Sequence, residues 1–184
     1  MANTATNVSV GKPKITGGIW RAPIGTTLPT DAVTALDAAF VTVGYVSSDG
    51  VTNNNGLSTD SLRAWGGDVV LIYQTETTDT FAFNLLEVLN PDALKVPFGD
   101  DNVTGTLTTG ITLRANAADK GEHVYVIDMI LRDGALKRIV IPDGKVSEIG
   151  EVTYKDDEAI AYPVTITAQA GTDGDTHKEY IIRP

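Results

Sequence analysis

The sequence predicts a mainly β domain, an antiparallel sheet with one short flanking α-helix and long loops. Three observations carry that prediction. From Glu122 to Arg183, runs rich in β-branched and aromatic residues alternate with turn sequences. Asp133-Gly134 and Asp143-Gly144 are two Asp-Gly pairs within the first 23 residues of that stretch, and such pairs between apolar runs are strong hairpin signals. Phe81, Phe83 and Leu85 alternate with Thr80, Ala82 and Asn84, the period of a strand with one buried and one wetted face.

The elements follow in order. Residues 1–62, rich in Gly, Pro, Thr, Asn and Ala, read as an N-terminal arm and the start of a projecting loop. Within them, Lys14 to Arg21 and Val41 to Ser47 are strand candidates. Thr30-Asp31 is placed to cap a short helix through Ala32 to Ala39. Residues 50–66, with Asn53-Asn54-Asn55-Gly56 at their centre, predict a long projecting loop or hairpin. The β core spans 68–184. It opens with a strand from Val69 to Thr77, a break at Thr78-Asp79, and a strand from Thr80 to Val88. Val69 to Tyr73 is apolar on both faces, the composition of a strand buried throughout. Asn90 caps a helix with Pro91 at its first position, and Gly99 closes it after Pro97. Thr104 to Ala115 reads as a Thr-rich strand. A meander then closes the chain. Its strands are Glu122–Leu131, Ala135–Ile141, Lys145–Tyr154, Ala159–Ala170 and Thr176–Arg183, separated at 132–134, 142–144, 155–158 and 171–174.

Composition narrows the function classes. A chain of 184 residues is one domain by prior, able to bury roughly 70% of its unfolded surface. Cysteine is absent, which excludes a disulfide framework, a thiolate zinc site and a cysteine nucleophile. Met1 to Asn7 lacks the pattern of a secretory signal, and no apolar run approaches the ~20 residues of a membrane helix. A soluble protein made in the cytoplasm is expected, with no membrane partner. A net charge of −10 argues against a protein that grips nucleic acid, and the adjacent cations Lys137 and Arg138 point to opposite faces of a strand. The meander holds neither a phosphate-cradling helix start nor a nucleophile turn, so no enzyme activity is expected.

The polar clusters have ordinary explanations. Asp100-Asp101-Asn102 and Asp173-Gly174-Asp175 are oxygen-rich, but neither has the loop and closing Glu of a specific calcium site, and both read as solvated turns. Asp156-Asp157-Glu158 reads as a loop charge run. His123 and His177 lack a neighbouring catalytic motif and read as structural or exposed. Asn7-Val8-Ser9 and Asn102-Val103-Thr104 match a glycosylation pattern that means little without a secretory signal. Trp20 and Trp65 lie in the loop-rich stretches, each an anchor within the arm or between subunits. No catalytic residue, cofactor or metal ligand is assigned.

One resemblance spans nearly the whole chain. Thr16-Gly17-Gly18-Ile19-Trp20-Arg21-Ala22-Pro23-Ile24-Gly25-Thr26-Thr27-Leu28-Pro29-Thr30-Asp31-Ala32, then Leu36 to Phe40 and Gly44 to Val51, resembles the N-terminal half of major tail tube proteins of long, non-contractile (siphovirus-like) phage tails. Phe83 to Val88 with its Asn-Pro helix, Arg138 to Pro142 and Glu158 to Ala168 are similar to the same family. The resemblance implies a β-sandwich or barrel with one flanking helix, forming six-membered rings whose inner strands join into one barrel. It implies stacking into a tube that conducts DNA into the host without binding it specifically. Further implied partners are tape measure, tail terminator and tail tip proteins, in a virion assembled in the host cytoplasm. The family arrangement places Asp68, Gln74, Glu76, Asp79, Thr80 and Asn84 on the lumen. Trp20, Arg21, Asn53, Asn54, Asn55 and Trp65 become candidate contacts between subunits. Some relatives add a C-terminal immunoglobulin-like domain. None is expected here, where Pro184 follows the last strand and 1–184 reads as a single tail tube domain. The alternatives are another β-rich virion component, such as a capsid decoration or tail-terminator protein, or the inner tube of a contractile tail or type VI-like machine.

Overall fold

The computed structural model describes residues 3–14 and 17–184. Ile15 and Thr16, inside the expected strand from Lys14 to Arg21, lie outside the described residues, as do Met1 and Ala2. Strands β1 (Lys12–Pro13), β2 (Ile19–Pro23), β3 (Val41–Thr42), β4 (Val46–Arg63) and β5 (Val69–Leu85) precede the helix α1 (Pro91–Phe98). After it come β6 (Val103–Thr104), β7 (Thr112–Leu113), β8 (Glu122–Ile130), β9 (Leu136–Ile149), β10 (Tyr162–Gln169) and β11 (Lys178–Ile182). The main sheet is antiparallel with order β3-β2-β8-β9-β10-β5-β4, and β1 adds to β8 and β11 to β9. The mainly β antiparallel fold with one helix is as the sequence predicts.

Strand β9 organises the sheet. It pairs with β8 along one edge, while its other edge takes β11 at 136–140 and β10 at 143–149. The sheet coils so that Ile19, Tyr125, Ile127, Ile139 and Ile141 meet Phe81, Phe83, Leu85, Val164 and Ile166 in one core, which Leu94 and Val96 of α1 join. A second cluster on the opposite face of β8 joins Ala22, Val124, Val126 and Val140 to Phe40. With both faces covered, β8 is buried over six consecutive residues.

Helix α1 forms as its caps dictate. The Asn90 side chain accepts from the Asp92 amide at 3.0 Å, Pro91 needs no donor partner, and Gly99 ends the helix at φ 89°. The expected helix at 32–39 does not form. Asp31 instead accepts from the Val33 and Thr34 amides at 2.8 and 2.6 Å, a local turn. The buried Arg138 guanidinium then takes the Asp31 and Thr34 carbonyls at 3.0 and 2.8 Å, carbonyls a helix would have used.

Two other expected elements differ. Thr104 to Ala115 is not one strand, because Gly105 and Gly110 turn the chain at positive φ and leave only the short ribbon of β6 and β7. Pro142-Asp143-Gly144 is not a turn either, and β9 runs through it. His123 faces Gly144 and Tyr125 faces Ile141, so Pro142 and Asp143 together oppose Val124 in a bulge. A β-carbon on Gly144 would lie 2.8 Å from Tyr125 Cδ2 and 2.9 Å from Ile166 Cγ2, so this glycine serves close packing. The first Asp-Gly pair does turn, with Asp133 and Gly134 at φ 57° and 76°.

Candidate functional site

The most distinctive surface is a hairpin that leaves the body of the fold. Strands β4 and β5 pair from Val46 against Leu85 to Arg63 against Val69. The reversal lies at 64–68, where the Ala64 amide donates to the Asp68 carbonyl at 2.8 Å. Gly66 and Gly67 supply φ 129° and 100° there, whereas the Asn53-Asn54-Asn55-Gly56 run, expected at the centre of the loop, lies mid-strand. The outer stretch of β5, 69–78, is exposed throughout, which at about 3.3 Å per residue makes an arm of roughly 30 Å. Its end is apolar. Leu62 and the run from Val69 to Tyr73 are exposed, and Trp65 at the tip is 107% exposed. The Val69 to Tyr73 run is therefore not core, because none of the described residues covers it.

At the root of the hairpin the expected break at Thr78-Asp79 is absent, and Asp79 is 1% exposed inside a continuous strand. Its carboxylate accepts from Asn53 Nδ2 at 2.8 Å and Thr176 Oγ1 at 2.7 Å, and lies 2.5 Å from His177 Nδ1. The imidazole stands edge-on to Phe81, with ring centroids 5.3 Å apart. Burial works to raise the Asp79 pKa, but the donors from Thr176, His177 and Asn53 outweigh it and hold the group below the ordinary carboxylate value. Asp79 is thus corrected from a lumen-facing residue to a buried one.

Beyond Asp79 toward the body, the two faces of β5 separate. Phe81, Phe83 and Leu85 are buried, while Thr80, Ala82 and Asn84 form a half-exposed face. Register extends this face across four strands. Thr80 and Ala82 stand between Asn54 and Thr52 of β4 and Thr167 and Thr165 of β10. Thr167 Oγ1 bonds Ser147 Oγ of β9 at 2.8 Å. The face is a carpet of hydroxyls and amides, with Lys145 and Glu148 at its β9 margin. Lys145 is held by Asp119 at 2.7 Å and Glu122 at 3.8 Å, which neutralise it. The sequence reading missed Thr165 and Thr167. Their alternation with Val164, Ile166 and Ala168 repeats the β5 pattern and was there to be read.

The remaining predicted residues divide. Asp68 lies at the hairpin turn, Gln74 bonds Thr77, and Glu76 continues the polar face outward opposite Ser58. Asn54 shares that face, and exposed Asn55 pairs in register with Asp79. The half-buried Trp20 indole donates to the Gly17 carbonyl at 3.2 Å. Arg21 is 5% exposed and pairs with Asp100, so it presents no surface to a neighbouring subunit. Asp100 also bonds His123 Nε2 at 2.9 Å. Burial and the nearby Arg21 charge lower the His123 pKa, against the pull of Asp100. Asp173 pairs with Lys178, and among the described residues no group of three or more His, Cys, Asp or Glu is placed to hold a metal ion. Asn102 is buried in reciprocal bonds with Asn116 and is closed to glycosylation.

A family model described as phage tail tube protein matches residues 1–183. No curated protein sequence matches. Among solved structures, the chain is similar to the tube-terminating cap of the anti-feeding prophage, seen by cryo-electron microscopy. Identity is 10% and the TM-score 0.46, over 99% of this chain and 100% of that one.

Proposed function

The chain belongs to the phage tail tube protein family, and from that premise we propose that its subunits close into six-membered rings that stack into the conduit for DNA ejection into the host. Membership makes it a structural virion protein that assembles into multi-subunit tail structures. The observation that carries the finer reading is the polar face bounded by two unpaired edges. Among the described residues the outer edge of β4 has no ladder partner, and at the other side of the face 146–149 of β9, paired on one edge with β10, have none on the edge where β8 stops at Lys145. Joining the β4 edge of one subunit to the 146–149 edge of the next removes both edges and makes one continuous barrel. Four strands from each of six subunits make a wall of roughly 24 strands. With about 4.8 Å between strands and a tilt of about 40°, its backbone diameter is roughly 48 Å, wide enough for a DNA duplex.

In this reading the lumen is lined by Thr80, Asn84, Thr165 and Thr167, with Glu76 extending the lining along the hairpin. Hydroxyls and amides give passing phosphates no cation to exchange for their counterions. The apolar hairpin end packs on the neighbouring ring, and residues 1–184 act as one tail tube domain. Tape measure, terminator and tip proteins complete a tail assembled in the host cytoplasm. Electron microscopy of the purified protein in negative stain across a concentration series, with mass measured in solution, tests this. Rings or hollow tubes are expected, and a monodisperse monomer at every concentration speaks against self-assembly into a tube.

A further inference from the structure

Asp79 is a buried charge in a protein whose tube-building role has no chemical use for one. The carboxylate and its three side-chain donors lie on three separate segments. Asn53 lies on β4, Asp79 itself on β5, and Thr176 and His177 on the stretch leading into β11. The position along the chain is as informative as the bonds. From 69 to 78 every residue of β5 is exposed, and from 79 the inward-facing residues are buried. The carboxylate therefore sits where the hairpin passes from body to solvent. A two-stranded ribbon is marginal alone and bends and twists readily, so the direction of its tip depends on what holds its root. On the body side the root is held by β10, whose ladder to β5 ends at Thr167 against Thr80, one residue short of Asp79. From Asp79 outward, the side-chain hydrogen bonds that join the hairpin to the rest of the subunit, among the described residues, are those of this carboxylate to Thr176 and His177.

We propose that Asp79 is a positioning residue that aims the hairpin, by tying β4 and β5 to the segment before β11 where the sheet support ends. This rests on the reading that the hairpin makes the contacts between rings. Asp79 touches no neighbouring subunit and acts through the orientation of the Trp65 tip. A subunit whose hairpin swings free engages its neighbour only in the fraction of time the tip points correctly, and its apparent affinity falls by that fraction. The three donors also have different consequences. Loss of the Asn53 amide removes a bond within the hairpin, whose strands the β4–β5 ladder still joins, whereas loss of the Thr176 hydroxyl weakens the tie between hairpin and body.

The absence of cysteine makes a direct test straightforward. Spin labels on Ser58→Cys in the arm and Glu148→Cys in the body report the arm-to-body distance by pulsed electron resonance, in dilute solution before assembly. The parent is expected to give one narrow distance distribution. Asp79→Ala is expected to broaden it, and Thr176→Val to broaden it less, with the sheet signature in circular dichroism unchanged. If the aimed fraction falls to a tenth, the concentration needed for assembly rises about tenfold. Should Asp79→Ala not fold, Thr176→Val carries the test, since its carboxylate keeps two donors. Distributions in Asp79→Ala and Thr176→Val identical to the parent overturn the proposal. A broadened distribution with an unchanged assembly threshold supports the positioning role and overturns the hairpin-contact reading, so the two fail separately.

Discussion

Replacing Trp65 with Ala separates the stability of the subunit from that of the assembly. The indole is 107% exposed at the hairpin turn and touches no core residue, so its removal should change the folding free energy by no more than about 0.5 kcal/mol. Packed against another ring, a Trp side chain covers roughly 200 Å², which at about 25 cal/mol/Å² gives an upper value of about 5 kcal/mol. Ordering costs and residual alanine contact reduce this, and central aromatic anchors typically lose about 2–4 kcal/mol on truncation. Taking about 3 kcal/mol, the assembly threshold rises roughly a hundredfold. Light scattering and pelleting across a dilution series measure that threshold, and thermal melting of the dilute subunit measures stability. Trp65→Phe should fall between the parent and Trp65→Ala. An unchanged threshold in Trp65→Ala would refute the contact, and a melting temperature several degrees lower would refute the claim that the tip stands outside the core.

Three further outcomes follow from the fold. Arg138→Met leaves Asp128 buried without its bidentate partner, bonded at 2.7 and 2.9 Å, and releases the 31–34 turn. It should cost about 3–5 kcal/mol, read as a melting temperature about 10 °C lower, and an unchanged melting point would show that the pair contributes nothing. Gly144→Ala drives a methyl into Tyr125 and Ile166 and should cost about 1–3 kcal/mol in denaturant unfolding, where a neutral result would mean the bulge yields freely. Because the folded His123 pKa lies below its ordinary 6.5, the unfolded chain binds that proton first as pH falls. The stability it contributes is complete above pH 6.5 and is lost as pH falls through the folded value. His123→Gln should flatten the stability–pH profile in that window, and an unaltered slope would assign it to other groups.

Where local chemistry decided the structure, the sequence was a sufficient guide. Asn90, Pro91 and Gly99 bound the helix as capping requires, and the alternation from Phe81 to Leu85 reports a half-buried strand. Where a distant partner decided, it was not. The 32–39 segment has helical composition, but Arg138, about a hundred residues away, claims its carbonyls. Asp143-Gly144 has the chemistry of a turn, but Gly144 is required by the approach of Tyr125 and Ile166. Asp79 read as a surface acid because Thr176 and His177 are separated from it by nearly the whole β core. Val69 to Tyr73 misled for another reason: a run apolar on both faces shows that it is to be buried, and not whether its own subunit does the burying.

That ambiguity also bears on how such a subunit stays dispersed before it assembles. A long strand with a free edge and an apolar tip is the kind of surface that pairs indiscriminately. Here the apolar run is short and flanked by charge, with Asp60 and Arg63 on β4, Asp68 at the turn and Glu76 beyond the bulge where Glu76 faces Ser58 and Gln74 faces Thr59. Charges so placed oppose unregistered pairing of two hairpins while leaving the Trp65 end free. The net charge of −10 adds a general repulsion between subunits. Association then requires a surface that covers the apolar end and, in the same step, pairs the β4 edge. A second tip meets only the first condition; in the proposed tube an existing ring would cover the apolar end while the next subunit of the new ring pairs the β4 edge. In the proposed tube this arrangement favours growth on an existing ring over association between free subunits.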